Sequence, residues 1–310
     1  MEPGRGTGRE GVDGQGFALV IGSALCYASL GILGKLALAE SVPLLSILSL
    51  RFTLGALLFW IAVAASPVLR RELAGLPRRR VRDLVLWGVF GFAGQSALFF
   101  SALTVISASL SEVLLYTCPA FLALILWWLS GMRPASGRLA AIALAVLGTY
   151  LCAGTLRDAT DPAGVALALL AGFWYAAFMV WMHRLTPGVS TPLSGALIVS
   201  GSAAAFDLAA ALHGGFRLPA TAAGWGAVLG MVLLATVVGL VLFVAGLNRV
   251  GPQVAAVLST FEPLGTLLLA RLILGERLAP AQWAGAALII GAAFVLAATA
   301  PAAPRTAVQA

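Results

Sequence analysis

A chain of 310 residues that is 61% hydrophobic and only 10% charged is not a soluble globular domain, which carries about 25% charged residues. Its formal charge of +7 lies mostly in loops between apolar runs, where it sets membrane orientation and does not point to nucleic acid. The three cysteines, Cys26, Cys118 and Cys152, sit within apolar stretches and suit neither a disulfide framework nor a metal site, so no cofactor or metal is expected.

In chain order, residues 1–16 are Gly-rich and polar and read as a disordered cytoplasmic tail. Apolar segments long enough for membrane helices follow at 17–39, 42–65, 83–105, 107–130, 136–155, 162–184, 191–213, 222–248, 251–274 and 280–299, and 301–310 forms a second cytoplasmic tail. The first segment ends on the cleavage-like Ala37-Leu38-Ala39, but acids precede it and Lys35 interrupts it, so it is read as the first helix and not as a signal peptide. The junctions at 105–107 and 248–251 are so short that the helices they join must form tight antiparallel hairpins. Runs that are apolar throughout do not suit barrel strands, which alternate polar and apolar residues. The stretch 66–82 holds Arg70, Arg71, Arg78, Arg79, Arg80 and Arg82 and is expected to be cytoplasmic. Ten crossings then put both termini on that side with Arg133, Arg138, Arg184, Arg249 and Arg305, and leave Arg157, Arg217 and Arg277 on the other.

The second half repeats the first. Sliding 99–153 by 144 positions onto 243–297 gives 13 identities in 55 positions, among them Phe99/Phe243, Pro119/Pro263, Gly131/Gly275 and Arg133/Arg277. At a slightly different offset Cys26-Tyr27-Ala28 falls on Trp174-Tyr175-Ala176, and Lys35 on His183. The expected units are 17–155 and 156–300 with five helices each. An odd number of crossings inverts the second unit relative to the first, the arrangement of a carrier that opens to each side in turn around a central cavity.

Leu258-Ser259-Thr260-Phe261-Glu262-Pro263, then Leu274-Gly275-Glu276-Arg277-Leu278 and Gln282-Trp283-Ala284-Gly285, together with Leu50-Arg51-Phe52, resemble the drug/metabolite transporter superfamily, EamA type. The first repeat departs from the pattern: Cys118-Pro119 stands where Glu-Pro would be, and Met132 where the second repeat has Glu276. The resemblance implies an all-α polytopic protein of ten helices in two inverted repeats. It also implies movement of small metabolites, often amino acids and often outward, across the inner (plasma) membrane.

Ionisable groups inside a bilayer face a partner or a wet cavity. Six stand out here: Lys35, Arg51, Glu112, Asp207, Glu262 and Arg271. Lys35, Arg51, Glu112 and Asp207 form either a charged outer vestibule or a set of structural ion pairs, with Lys35 able to hold a substrate carboxylate. Glu262 precedes Pro263, whose ring leaves the Ser259 carbonyl without its usual donor, so a break is expected there and a matching one at Pro119. Glu262 either carries a proton or a substrate amine, or only braces that break. Tyr27, Gln95, Tyr116, Trp174, Tyr175 and Thr260 complete a candidate cavity of a few polar groups among apolar ones. The expected function is therefore secondary active transport of a small molecule, with protons as a candidate coupling ion, by a monomer or weak homodimer among membrane lipids. A membrane-embedded enzyme acting on a lipid-linked substrate and a passive channel are the alternatives, but no zinc helix, phosphate loop or nucleophile elbow is present.

Overall fold

The computed structural model describes residues 13–106, 108–131, 135–152, 161–213, 216–274 and 279–299. The expectations for the rest of both tails, for the sequence around Met132 and Arg133, and for the Glu276-Arg277 motif fall outside these residues. So do the side chains of Lys35, Cys152 and Arg271.

Among the described residues every regular element is a helix. These are α1 (Gly14–Ala39), α2 (Leu44–Ala65), α3 (Pro67–Gly75), α4 (Arg78–Val105), α5 (Ala108–Leu115), α6 (Cys118–Ser130), α7 (Ser136–Cys152), α8 (Pro162–Leu185) and α9 (Thr191–Leu212). A last long stretch, Ala222–Leu258, is divided at Gly251 into α10 (222–250) and α11 (252–258); α12 (Phe261–Leu274) and α13 (Pro280–Thr299) complete the chain. By length and composition six described helices are able to cross a membrane: α1, α2, α4, α8, α9 and Ala222–Leu258. Three apolar helices (Cys118–Ser130, Ser136–Leu151 and Pro280–Val295) are shorter.

Local chemistry sets the boundaries. The Asp13 carboxylate accepts from the Gly16 amide (3.0 Å) and starts α1 three residues before the expected position. Asp161 and Thr221 do the same for α8 and α10, through the amides of Ala163 (2.8 Å) and Gly224 (3.0 Å). Ser66 followed by Pro67 opens α3, an exposed basic helix inside the arginine-rich stretch that was expected to be loop. Gly131, at φ 67°, closes α6 in the left-handed region.

Neighbouring contacts show where the chain turns back. Along α10, Gly230, Gly239, Gly246 and then Val250 meet Leu33, Tyr27, Val20 and Gly16 of α1 in descending order, after which Gly265 of α12 lies against Leu25 and Ala28. The chain has therefore reversed at Gly251, whose φ of 78° is open to glycine. In the first half, Trp174 meets Gly94, and Gly164 meets Val105 and Ile106, after which Gly172 lies against Leu114 and Leu115. That reversal falls between α4 and α5, the place that matches the reversal at Gly251 in the other repeat.

The repeats are inverted and interleaved. α2 and its repeat mate α9 run antiparallel, with Asp207 at the level of Ser49 and Thr53, and Ser200 at the level of Trp60. α1 packs on α10 and α12 of the other repeat, α8 packs on α4, α5 and α6, and α7 pairs with α13. Two features interrupt each repeat at matching positions. The first is a π-helical segment, Gly88–Phe92 in α4 and Met231–Val238 in α10, in which the amides of Ala93 and Gly239 reach back five residues to the carbonyls of Gly88 and Leu234. The second is the break before each proline. The Glu262 amide bonds the Ser259 carbonyl (2.9 Å) because Pro263 has no N–H to offer. Between α5 and α6 the Thr117 amide and hydroxyl (2.6 Å) both turn back to the Leu114 carbonyl.

Candidate functional site

The π-helical segment of α4, through Phe92, and the two proline breaks, through Leu115 and Glu262, border one cavity, and the segment of α10 reaches it only through the Thr236 contact with Arg51. Tyr27 of α1, Arg51 of α2, Gln95 and Ser96 of α4, Tyr175 of α8 and Glu262 of α12 supply its polar lining. Phe92, Phe99, Phe100, Phe178 and Phe243 supply aromatic walls. Two repeat-related pairs, Tyr27/Tyr175 and Phe99/Phe243, face it together, so it lies on the pseudo-twofold between the repeats. The cavity is narrow: the space open to water-sized spheres is about 40 Å³, room for a few waters.

Glu262, 8% exposed, accepts a hydrogen bond from the Tyr116 hydroxyl. Tyr116 belongs to the break between α5 and α6 and Glu262 to the start of α12, so this bond ties one proline break to the other. Arg51 is 1% exposed. Its Nε donates to the Thr236 hydroxyl (2.8 Å), and its guanidinium carbon stands 4.8 Å from the Phe52 ring centre and 6.0 Å from that of Phe100. Thr236 in turn donates to the Met231 carbonyl (3.2 Å), inside the π-helical segment of α10.

Of the residues singled out from sequence, the structure gathers Tyr27, Gln95, Tyr175 and Glu262 on the cavity wall, with Tyr116 behind Glu262. Thr260 bonds the Val257 carbonyl of the preceding helix (2.6 Å), and the Trp174 indole N–H bonds the Phe90 carbonyl (2.7 Å) in the π-helical segment of α4. Glu112, 5% exposed, accepts from Thr266 of α12 (3.3 Å) beside Gly31 of α1, and Lys35 is one helical turn beyond that glycine. Arg51 and Asp207 do not share one outer vestibule. Asp207 is held between α2 and α9 by the hydroxyls of Ser49 and Thr53, whereas Arg51 reaches the centre of the bundle. Ser96, Leu30, Leu115 and the phenylalanines are cavity residues that the sequence-derived set omits, and Arg51, read there as part of a vestibule or ion pair, lines the cavity. Signals for Arg51 and two of the phenylalanines were present: an arginine inside an apolar run at Leu50-Arg51-Phe52, and Phe99/Phe243 among the best matches between repeats.

The profile of the EamA-like transporter family matches residues 14–154 and again 162–298, one match per repeat. The chain belongs to this family. Among curated proteins it resembles the uncharacterized transporter YwfM of Bacillus subtilis (strain 168), at 28% identity over 224 residues, covering 69% of this chain and 73% of that one. The crystal structure of a protein superposes with a TM-score of 0.76 at 20% identity over 92% of this chain and 97% of the other. That likeness shows the shared fold. An EamA-type transporter is a membrane protein that handles a small molecule, and the paired profile matches coincide with the two interleaved halves of the bundle.

Proposed function

We propose that this protein is a secondary transporter that exports amino acids or related compounds across the inner membrane by alternating access, through ten crossings with both termini cytoplasmic. The observation that carries the reading is the cavity on the pseudo-twofold, where fixed polar groups of both repeats converge among aromatic walls. The π-helical segments and proline breaks around it are places where a helix bends at low cost, and they supply hinges for rocking one repeat against the other. Orientation follows from the arginines. Contacts of Arg80 with Pro187, of Arg138 with Gln253 and of Arg249 with Asp13 gather this charge at one end of the bundle, which the positive-inside rule makes cytoplasmic. Glu262 and Glu112, both buried, are the candidates for proton coupling.

The test is counterflow in proteoliposomes holding purified protein and labelled amino acids and small metabolites. Saturable exchange is expected, reduced at least ~10-fold by Glu262→Gln if that carboxyl takes a proton or an amine during the cycle. Flux that never saturates, with single-channel currents, would replace the carrier by a channel. Flux whose pH dependence is unchanged in both Glu112→Gln and Glu262→Gln would remove these carboxyls as proton carriers.

A further inference from the structure

Arg51 is the anomaly of the cavity. A guanidinium this deeply buried in an apolar bundle normally has a carboxylate beside it, because desolvating a lone cation is costly. Among the described residues no ion pair forms to Arg51, and its Nη1 is buried with no hydrogen-bond partner. The remaining contacts hold the group still. Thr236 fixes Nε, and the rings of Phe52 and Phe100 support the guanidinium carbon. Glu262 lines the same cavity and accepts the Tyr116 hydroxyl, but it makes no ion pair with Arg51. A guanidinium whose Nη1 has no acceptor and a carboxyl that stops short of a contact ion pair with it therefore share one cavity with apolar walls.

We propose, resting on the transporter reading above, that Arg51 binds the carboxylate of the transported molecule and Glu262 its ammonium group, so that the preferred substrate is a zwitterionic amino acid with an apolar side chain. A carboxylate at Arg51 satisfies Nη1 with a charge-assisted bond. Once the cavity widens from its narrow form to admit the substrate, an ammonium at Glu262 adds a donor to a carboxyl that already accepts from Tyr116, and the apolar side chain lies against the phenylalanines. Because Nε of Arg51 is bonded to Thr236 in a π-helical segment, a carboxylate drawn onto the guanidinium also pulls on a hinge of α10.

The experiment measures thermal unfolding of the full-length protein in detergent with three probes: leucine, 3-methylbutylamine, which lacks the carboxylate, and 4-methylpentanoate, which lacks the amine. In the wild type the largest rise in Tm is expected with leucine. Arg51→Gln is expected to lose the response to leucine and 4-methylpentanoate while keeping that to the amine, and Glu262→Gln to show the converse. Arg51→Lys keeps the charge but not the planar fork, and its leucine affinity is expected to fall ~10-fold or more. Should Arg51→Gln fail to fold, Arg51→Lys and the ranking of probes on the wild type still decide. Equal stabilisation of the wild type by leucine and 3-methylbutylamine, no stabilisation by any probe, or an unchanged leucine response in a folded Arg51 variant overturns the assignment. The same compounds in counterflow separate the two readings. Leucine that stabilises through Arg51 but never exchanges removes the transport reading alone, and leucine exchange unaltered in Arg51→Gln removes the Arg51 assignment alone.

Discussion

The two repeats build the same backbone devices and use them differently. In the first, the π-helical segment brings two backbones into contact. A Cβ at Gly88 would stand 2.0 Å from the Ile198 carbonyl oxygen of α9, a Cβ at Gly201 would stand 2.1 Å from the Val85 carbonyl oxygen, and the Ser202 hydroxyl donates to the Gly88 carbonyl (2.9 Å). In the second, position 232, which matches Gly88, is a buried valine, and the segment offers the Thr236 hydroxyl to Arg51. The proline breaks divide the same way. Cys118 is buried in the first repeat where Glu262 faces the cavity in the second. One repeat supplies close packing and the other holds the carboxyl and the hinge hydroxyl. A duplicated fold thus keeps its symmetry in the backbone while matched positions in the two repeats take on different side-chain chemistry.

The sharpest way to break this comparison is at the π-helical segments. Gly88→Val forces α4 from α9 and is expected to cost ~3 kcal/mol or more, an apparent Tm lower by about 10 °C, if folded protein is recovered at all. The repeat-matched Val232→Ala only removes two buried methyl groups, for about 2 kcal/mol. Equal losses, measured by thermal unfolding in detergent, would mean that the two segments do the same job.

Next is the proline break. Cys118→Glu restores the missing carboxyl of the first repeat in a buried setting that has no donor arranged for it, at a cost of about 3 kcal/mol. A variant as stable as the wild type would show that the first break already tolerates charge. A smaller effect is expected from Tyr116→Phe. It leaves the Glu262 carboxyl without its donor, for about 2 kcal/mol, and should change the pH profile of exchange without abolishing it. The repeat-matched Thr260→Val removes a hydroxyl that bonds only a local carbonyl, and its expected loss is below ~1 kcal/mol with exchange unaltered. A pH profile that moves in Thr260→Val and not in Tyr116→Phe would reverse the assignment of roles.

Much of the architecture was legible because it depends on local rules. The ends of α8, α9 and α13 lie within a residue of the apolar segments read from sequence, and the break before Pro263 followed from a missing N–H. The hairpins between α4 and α5 and at Gly251 followed from junctions too short for anything else. α3 was not anticipated, because arginines in a cytoplasmic stretch read as charge and hide the Ser66-Pro67 start signal. The π-helical segments also left no mark, since an i to i+5 bond needs no particular side chain.

The candidate site was legible in part, and the division has one cause. Tyr27, Gln95, Tyr175 and Glu262 stood out as polar groups in apolar runs, and they do face the cavity. Trp174 and Thr260 stood out equally, yet they bond backbone carbonyls. A helix that is apolar all round carries no stripe from which to read its inward face. Sequence alone therefore determined the family and the duplication. Only the packing of one repeat against the other decided the rotation of each helix. That rotation turned Arg51 into the centre of the bundle, sent Asp207 to the hydroxyls of Ser49 and Thr53, and placed Glu262 under Tyr116.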